Sequence, residues 1–528
     1  MITTRSTRTG NTLLDGLLHH ALETPGAAVA VEGASGRTVT AREMVQSAVA
    51  AAGHLGESGV RNGDYVVITV PTGVNFLAYA FGAMIAGAAP ALLDARSAPG
   101  ALAQCLDELE APAWVMPSGA VPPPSFGGAT LHPRDPWSAA DPESVDDDAC
   151  PDVREWDVLD TVLMLYTSGT TGIPKGVPWT SRELASQIRA YRDPDIRTEF
   201  CFFPHLAMVA VAMGRTAVLP QLDDYSPAGL DIEQTRAQMD RHGCDYVFAS
   251  PLVWHRLANH LDAGAEPPPV RRAATAGSAV GSRMLETLRR VMPETRFRVP
   301  YASTEALMPV TSIDADDYVH RSKLGTWTGR GVPLGAASAE TDVAIIATTT
   351  GDGDSFSVAT ERLAPGVAGE IIVSGSRVTR TYFKRPEVEK HAKLRDAHTD
   401  RIWHRTADIG YLDDSGDLWY LCRKKDVVET PHGTLHPDAV EEMFDLVTGA
   451  SLSAVVYEKQ TDTLYYVLGT TPHPTGVIDT GTLAVLAERI GFPAPVVVTL
   501  DSPLPSDPRH NSKIDRARTL DLARLRQP

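Results

Sequence analysis

Short apolar runs that alternate with helix-period runs constrain this chain most. Thr12–His20 has the spacing of an amphipathic helix, Ala27–Val31 of a strand, Ala41–Leu55 of a second helix and Tyr65–Val70 of a second strand. The turn Gly59-Val60-Arg61-Asn62-Gly63-Asp64 leads into that last strand. Strands separated by helices pair in parallel, because the helix carries the chain back across a sheet face. The alternation returns with strands at Thr161–Tyr166, Tyr246–Ala249, Arg272–Ala276 and Phe297–Val299 and a helix at Ser282–Met292. An α/β fold follows, with a large amino-terminal domain of parallel and mixed sheets. Beyond about Ala336 the pattern turns β-rich, with strands expected at Asp342–Ala347, Gly369–Val373 and Leu418–Leu421. The cluster Arg423-Lys424-Lys425-Asp426 reads as a boundary. After it, the strands Ser453–Tyr457 and Leu464–Leu468 and the helix Thr482–Ile490 read as a small α+β domain. The expected division is 1–422 and 423–528, since 528 residues exceed what one hydrophobic core holds.

Two stretches need separate treatment. No charged residue occurs from Phe76 to Leu93, a run near the shortest that spans a bilayer. Gly82, Gly87 and Pro90 interrupt it and Asp94-Ala95-Arg96 ends it, so a buried helix (Phe76–Ala86), a glycine turn and a core strand are expected instead. Residues 117–152 hold Pro122-Pro123-Pro124, Gly127-Gly128 and Asp146-Asp147-Asp148 and read as a surface excursion or a mobile loop.

Composition excludes some partners. Lys and Arg number 48 against 66 Asp and Glu, a net charge of −18 that repels phosphate backbones and anionic lipid. No nucleic-acid partner and no membrane span are expected. The five cysteines are far apart, with no C-x-x-C pair to hold zinc or cycle as a disulfide. That spacing suits a reducing compartment, and MITTRSTRTGN has no apolar stretch behind it, so a cytoplasmic location is expected.

The most informative segment is Tyr166-Thr167-Ser168-Gly169-Thr170-Thr171-Gly172-Ile173-Pro174-Lys175-Gly176. It sets hydroxyls, glycines and one lysine in a loop after a buried strand. Glycines let the backbone approach a ligand closely, and N–H groups and hydroxyls cradle phosphate oxygens. Lys175 supplies charge for the β- and γ-phosphates. The order G-x-x-x-x-G-K-[ST] is absent, so this is not a Walker A loop. A helix follows, opened by the capping box Thr180-Ser181-Arg182-Glu183.

Thr167–Gly176 resembles the phosphate loop of the adenylate-forming superfamily, which includes acyl-CoA synthetases, peptide-synthetase adenylation domains and luciferases. Further segments are similar in family order. Tyr301-Ala302-Ser303-Thr304-Glu305 resembles Y-G-x-T-E, and His404-Arg405-Thr406-Ala407-Asp408-Ile409-Gly410 resembles the T-G-D motif, each with alanine at a glycine. Arg423-Lys424-Lys425-Asp426 resembles the hinge, and Pro508-Arg509-His510-Asn511-Ser512-Lys513-Ile514 the carboxy-terminal lysine motif. The resemblance implies ATP and Mg²⁺ as cofactors and a small carboxylic acid as substrate. It implies that Thr167, Ser168, Gly169, Thr170, Thr171 and Lys175 hold phosphates. Tyr301 would stack on adenine, Thr304 bond the α-phosphate, Glu305 hold Mg²⁺, and Asp408 accept the ribose hydroxyls with Arg423 nearby. Lys513 would bridge carboxylate and α-phosphate. The small domain would be mobile, turning about Lys425 between two half-reactions. Ser278 and Ala279, in Ala276-Gly277-Ser278-Ala279, resemble the acyl-pocket loop. An ordinary strand-to-helix turn with Ser282 as cap reads equally well there. The superfamily's Phe-His pair falls at Leu206-Ala207, so His205 does not match it.

Departures from the pattern bear on the second half-reaction. Coenzyme A ligases follow the hinge with K-x-x-G, whereas this chain has Glu429-Thr430-Pro431-His432-Gly433. That segment and Arg509-His510-Asn511-Ser512-Lys513-Ile514 are similar to the β-lactone synthetase branch of natural-product biosynthesis. The resemblance implies that a β-hydroxy acid is adenylated and that its own hydroxyl then expels AMP, closing a four-membered lactone. It names no base for the hydroxyl proton. The alternatives are an acyl- or aryl-coenzyme A ligase and a stand-alone adenylation enzyme that loads a carrier protein. A non-catalytic binding relic is disfavoured by Lys175, Glu305, Asp408 and Lys513 occurring together. A carrier protein or pathway enzyme as partner, and a homodimer, are both compatible with the sequence.

Overall fold

The computed structural model describes residues 8–94, 99–133, 153–167, 174–220, 229–278, 280–326, 329–351, 356–450, 453–470, 478–505 and 514–526. One six-stranded sheet runs in the order Ala129–Leu131, Ala113–Val115, Tyr65–Ile68, Ala89–Leu92, Thr161–Tyr166 and Gly176–Thr180. Its first five strands pair in parallel and the last is antiparallel. An eight-stranded sheet runs from Ala306–Asp314 through Arg296–Ser303, Arg272–Thr275, Tyr246–Ala249, Thr198–Cys201, Thr216–Leu219 and Ala28–Glu32 to Thr38–Thr40. It is parallel except at its two outer pairings. The α/β fold with parallel and mixed sheets is therefore as expected.

The uncharged run is buried inside this core. Helix Val74–Ile85 places Phe76, Leu77, Phe81 and Met84 out of solvent against Met44, Ala48 and Leu55 of the helix Ala41–Glu57. A Cβ on Gly82 would meet the Ala48 carbonyl oxygen and the Ala51 Cβ, each at 2.8 Å, so only glycine lets the two helices approach this closely. Ala89–Leu92 then forms a core strand. Among the described residues no helix is long and apolar enough to cross a membrane.

The β-rich part is an antiparallel sheet ordered Val332–Gly335, Leu418–Arg423, Ile402–Leu412, Gly369–Gly375 and Thr341–Ile346, with Lys393–Arg395 alongside Ile402–Leu412. Carboxy-terminal to it, the strands Ser453–Glu458, Thr463–Leu468 and Val496–Thr499 form a smaller sheet. Helices Pro437–Thr448 and Thr480–Arg489 share an apolar cluster with that sheet, and helix Arg516–Arg524 packs on its other side. Arg516 ties these elements together: it pairs with Asp438 and Glu441, and its Nη1 donates to the Val455 carbonyl at 3.0 Å.

Two expectations need correction. The surface excursion at 117–152 contains the strand Ala129–Leu131, which joins the sheet edge in parallel with Ala113–Val115. Residues 134–152 of it lie outside the described residues. Ser282 is also not a helix cap. Gly281 occupies the cap position with no side-chain bond, and the Ser282 hydroxyl instead donates to the Glu442 carboxylate, 160 residues on. The Ser282 N–H donates to the same oxygen at 3.3 Å. A buried carboxylate is the stronger acceptor, and it arrives from helix Pro437–Thr448, so tertiary packing overrides the local capping option.

Candidate active site

The phosphate-loop segment connects the antiparallel strands Thr161–Tyr166 and Gly176–Thr180. Its ends are closed by the Thr167 N–H donating to the Lys175 carbonyl at 3.0 Å. Ser168, Gly169, Thr170 and Thr171 lie outside the described residues. The Lys175 ammonium is 5.8 Å from the Tyr382 ring centre.

Tyr382 joins that lysine to Glu305. Its hydroxyl donates to Glu305 Oε1 at 2.7 Å. The Thr379 N–H and Oγ1 hold the Glu305 carbonyl at 2.9 and 3.1 Å. Lys393, buried beneath, donates to the Thr379 carbonyl at 2.6 Å and to Oγ1 at 3.1 Å. Neighbouring Thr304 is fixed by the Trp179 indole N–H, which donates to its carbonyl at 2.8 Å. Burial pushes the Glu305 carboxyl up, but His404, the Tyr382 hydroxyl and Lys393 together outweigh it and hold the group below the usual carboxylate range. Burial also lowers the Lys393 ammonium to about 8, against the pull of Glu305, Glu183 and Glu389.

His404 is buried beside this cluster, with Nδ1 3.2 Å from the Ala392 carbonyl. Burial first, then Lys393, lowers its imidazole to about 3. The folded value lies below the unfolded one of about 6.5. Stability from this group is therefore present above pH 6.5 and is lost as pH falls toward 3. We expect His404 to contribute a loss of up to about 1.4 kcal/mol per pH unit in that window. Urea unfolding at pH 7 and pH 5 should show the loss in wild type and a smaller one in His404→Phe.

Asp408 and Arg423 face each other across the strands Ile402–Leu412 and Leu418–Arg423. The guanidinium Nη1 lies 2.7 Å from Asp408 Oδ1, and the Tyr301 hydroxyl donates to Oδ2 at 2.5 Å. Burial, and then the Asp408 charge, push the Tyr301 hydroxyl well above its ordinary value. The strand Arg296–Ser303 thus presents Tyr301 to Asp408, and the turn after it presents Glu305 to Tyr382, whose ring lies 5.8 Å from the Lys175 ammonium. Ala407 has φ +57°, in the left-handed region, which explains why the superfamily motif carries glycine at this place. A non-glycine residue there costs roughly 1–2 kcal/mol, offset by about 0.5–1 kcal/mol of extra backbone entropy in a glycine variant. Ala407→Gly is therefore expected to raise the unfolding free energy by up to about 1 kcal/mol, measured by denaturant titration.

Beside Thr304 lies an apolar cluster. Leu206, Phe203, Phe248, Met308, Ala276 and Ala302 pack together there. Ser278 is half-buried two residues past Ala276, after Gly277 at φ +99°, while Ala279 lies outside the described residues. Lys425 is exposed in the single turn Lys424–Asp426. Lys513 lies outside the described residues. The segment after that turn is a tight hairpin of Val428–Thr430 and Gly433–Leu435, and Gly433 takes φ +119° to close it. Glu429 accepts from the Thr434 hydroxyl at 3.0 Å, so its carboxylate is engaged within the hairpin.

The structure thus brings Lys175, Tyr301, Thr304, Glu305, Asp408 and Arg423 into one connected region. Trp179, Tyr382, Lys393 and His404 were not singled out from sequence. Trp179, Lys393 and His404 come from separate strands and Tyr382 from the loop before helix Pro386–Ala392; His404 only heads the segment that resembles the T-G-D motif, and the tertiary pairing alone reveals what the four do. Such a region suits two anions: lysine and arginine cations offset charge, and a single carboxylate offers a hard oxygen. Among the described residues no cluster of three acidic, histidine or cysteine groups could hold an ion alone. Glu305 therefore fits Mg²⁺ that takes most of its ligands from phosphate oxygens and water.

Residues 17–383 match the AMP-binding enzyme family. The olefin β-lactone synthetase of Stenotrophomonas maltophilia is 32% identical over 457 residues, covering 83% of this chain and 82% of that protein. That of Xanthomonas campestris is 31% identical over 504 residues, covering 91% and 90%. Among solved structures, the o-succinylbenzoate coenzyme A synthetase of Bacillus subtilis in complex with ATP and magnesium superposes with a TM-score of 0.72. It is 19% identical and covers 95% of this chain and 98% of that one. With its family match, its fold and its gathered motif residues, the chain belongs to the AMP-binding enzymes, the ATP-dependent adenylate-forming ligases.

Proposed function

We propose that this ligase activates a β-hydroxy carboxylic acid as its acyl-adenylate and then closes it to a β-lactone, releasing pyrophosphate and AMP. A carboxylate is a poor electrophile, because its charge repels nucleophiles and oxide leaves badly. Attack of the carboxylate oxygen on the α-phosphorus converts that oxide into AMP, a good leaving group. Thr167, Ser168, Gly169, Thr170, Thr171 and Lys175 hold the phosphates, and Thr304 bonds the α-phosphate. Tyr301 flanks the adenine, while Asp408, oriented by Arg423, accepts the ribose hydroxyls. Lys513 screens the meeting of carboxylate and α-phosphate. Glu305, steadied by Tyr382, holds Mg²⁺, whose charge offsets that of the departing pyrophosphate. Ser278 and Ala279 border the acyl chain. Residues 423–528 form the small domain that turns about Lys425.

The observation that carries the lactone step is the 31–32% identity to two olefin β-lactone synthetases over most of both chains. The closed hairpin supports it, because Glu429 stands where thioester-forming relatives carry a lysine. Intramolecular closure needs no thiol, and holding hydroxyl and carbonyl in contact supplies much of the rate. The test is incubation with ATP, Mg²⁺ and a panel of β-hydroxy acids in the absence of thiol. AMP and a product lighter by one water are expected. Thioester formed only on addition of coenzyme A or a carrier thiol would contradict the reading.

A further inference from the structure

The ring-closing step needs an acceptor for the hydroxyl proton. We propose that His205 is that base, an assignment that rests on the β-lactone reading. His205 is the second residue of the helix Pro204–Ala212, whose residues from Leu206 onward are buried. Its imidazole, itself half-buried, stands edge-on to Trp179, ring centres 5.5 Å apart, and 6.0 Å from the ring of Phe203. These two neighbours define its place. Trp179 is bonded to the carbonyl of Thr304, in the segment proposed to hold the α-phosphate. Phe203 packs on Phe248 at 5.4 Å inside the apolar cluster that also holds Met308 and Ala302. His205 therefore lies at the junction of the phosphate-binding segment and the apolar cluster. An acyl-adenylate has its reactive carbonyl at that junction, because the chain lies on one side and the phosphate on the other.

Among the described residues, two other candidate bases, Glu199 and Glu305, are engaged elsewhere. Glu199 is ion-paired with Arg215 at 3.1 Å, both buried. Glu305 accepts from Tyr382. The His205 imidazole has no hydrogen-bond partner among the described residues. Burial alone lowers it to about 4, so it is neutral at physiological pH and has a nitrogen lone pair free to accept a proton.

The step balances as follows. The β-hydroxyl oxygen forms a bond to the acyl carbon as its proton passes to the imidazole. The bond from the acyl carbon to the phosphate-bridging oxygen breaks, and AMP leaves with that electron pair. The imidazolium, transiently stabilised by the adjacent phosphate charge, then returns its proton to solvent. General-base assistance contributes about 10²–10⁴-fold, and a base this weak belongs at the lower end of that range.

Two variants test the assignment, with pyrophosphate exchange and single-turnover lactone formation measured on each. For His205→Gln, lactone formation should slow by about a hundredfold or more. Exchange should fall only a fewfold, and enzyme-bound acyl-adenylate should accumulate. In His205→Ala, added imidazole should restore closure in a concentration-dependent way, which a structural defect would not allow. Closure at the wild-type rate in His205→Gln overturns the assignment, as does a parallel loss of exchange and closure without imidazole rescue. Wild-type enzyme that makes no lactone at all overturns the β-lactone reading, and with it the base. Lactone from wild type together with an unimpaired variant overturns the base alone.

Discussion

Glu305→Gln is expected to slow pyrophosphate exchange by at least about a hundredfold, equivalent to about 3 kcal/mol of barrier. The substitution keeps shape, and the amide oxygen can still accept the Tyr382 hydroxyl, which donates to Glu305 Oε1 at 2.7 Å in wild type. The Thr379 contacts reach only the Glu305 carbonyl and are untouched. What disappears is one negative charge in a region that keeps Lys175 and Lys393 nearby. A hard divalent cation loses its only proposed protein oxygen ligand, and Lys393 loses the first of its carboxylate neighbours, keeping Glu183 and Glu389. Exchange measured across a Mg²⁺ titration should show a raised half-saturation, and Mn²⁺ binding followed by electron paramagnetic resonance should weaken in step. Unchanged exchange and unchanged Mn²⁺ affinity would remove Glu305 from the metal site.

Asp408→Ala is the second large effect. Asp408 is 3% exposed and joins Arg423 to Tyr301. Hydrogen bonds to a charged acceptor contribute about 1.5–3 kcal/mol each. Loss of two ribose contacts should therefore lower kcat/KM for ATP by about a hundredfold or more. The side chain of Arg423 is 39% exposed and can rehydrate, so the fold should survive with a stability loss of about 1–3 kcal/mol. 2′-Deoxy-ATP separates a ribose contact from general damage. Wild type should lose activity with it relative to ATP, whereas Asp408→Ala should treat the two nucleotides alike.

Local pattern made much of the fold legible. Thr161–Tyr166 and Tyr246–Ala249 are strands with the expected ends, because a continuous apolar run bounded by polar residues suits a buried parallel strand. The capping box of Thr180 and Glu183 is formed as read, since both partners lie within one turn. Ser282 shows where local reasoning stops, because its partner is 160 residues away. The site follows the same division. Asp408 and Arg423 sit in recognisable motifs and meet as cross-strand neighbours. Lys393 lies on a strand where a charged residue carries no pattern, and His404 heads the T-G-D-like segment without a role of its own there; both acquire meaning only beside Glu305. The Trp179 bond to Thr304 spans 125 residues, and no periodicity signals it.

The central claim is that the carboxyl group is activated and the substrate's own hydroxyl then displaces AMP. It is tested most directly with a β-hydroxy acid carrying ¹⁸O at both carboxylate oxygens. One heavy oxygen should appear in AMP and one in the lactone carbonyl, with the ring oxygen unlabelled. A lactone that keeps both heavy oxygens, with unlabelled AMP, would mean that the hydroxyl was activated instead and would contradict the account.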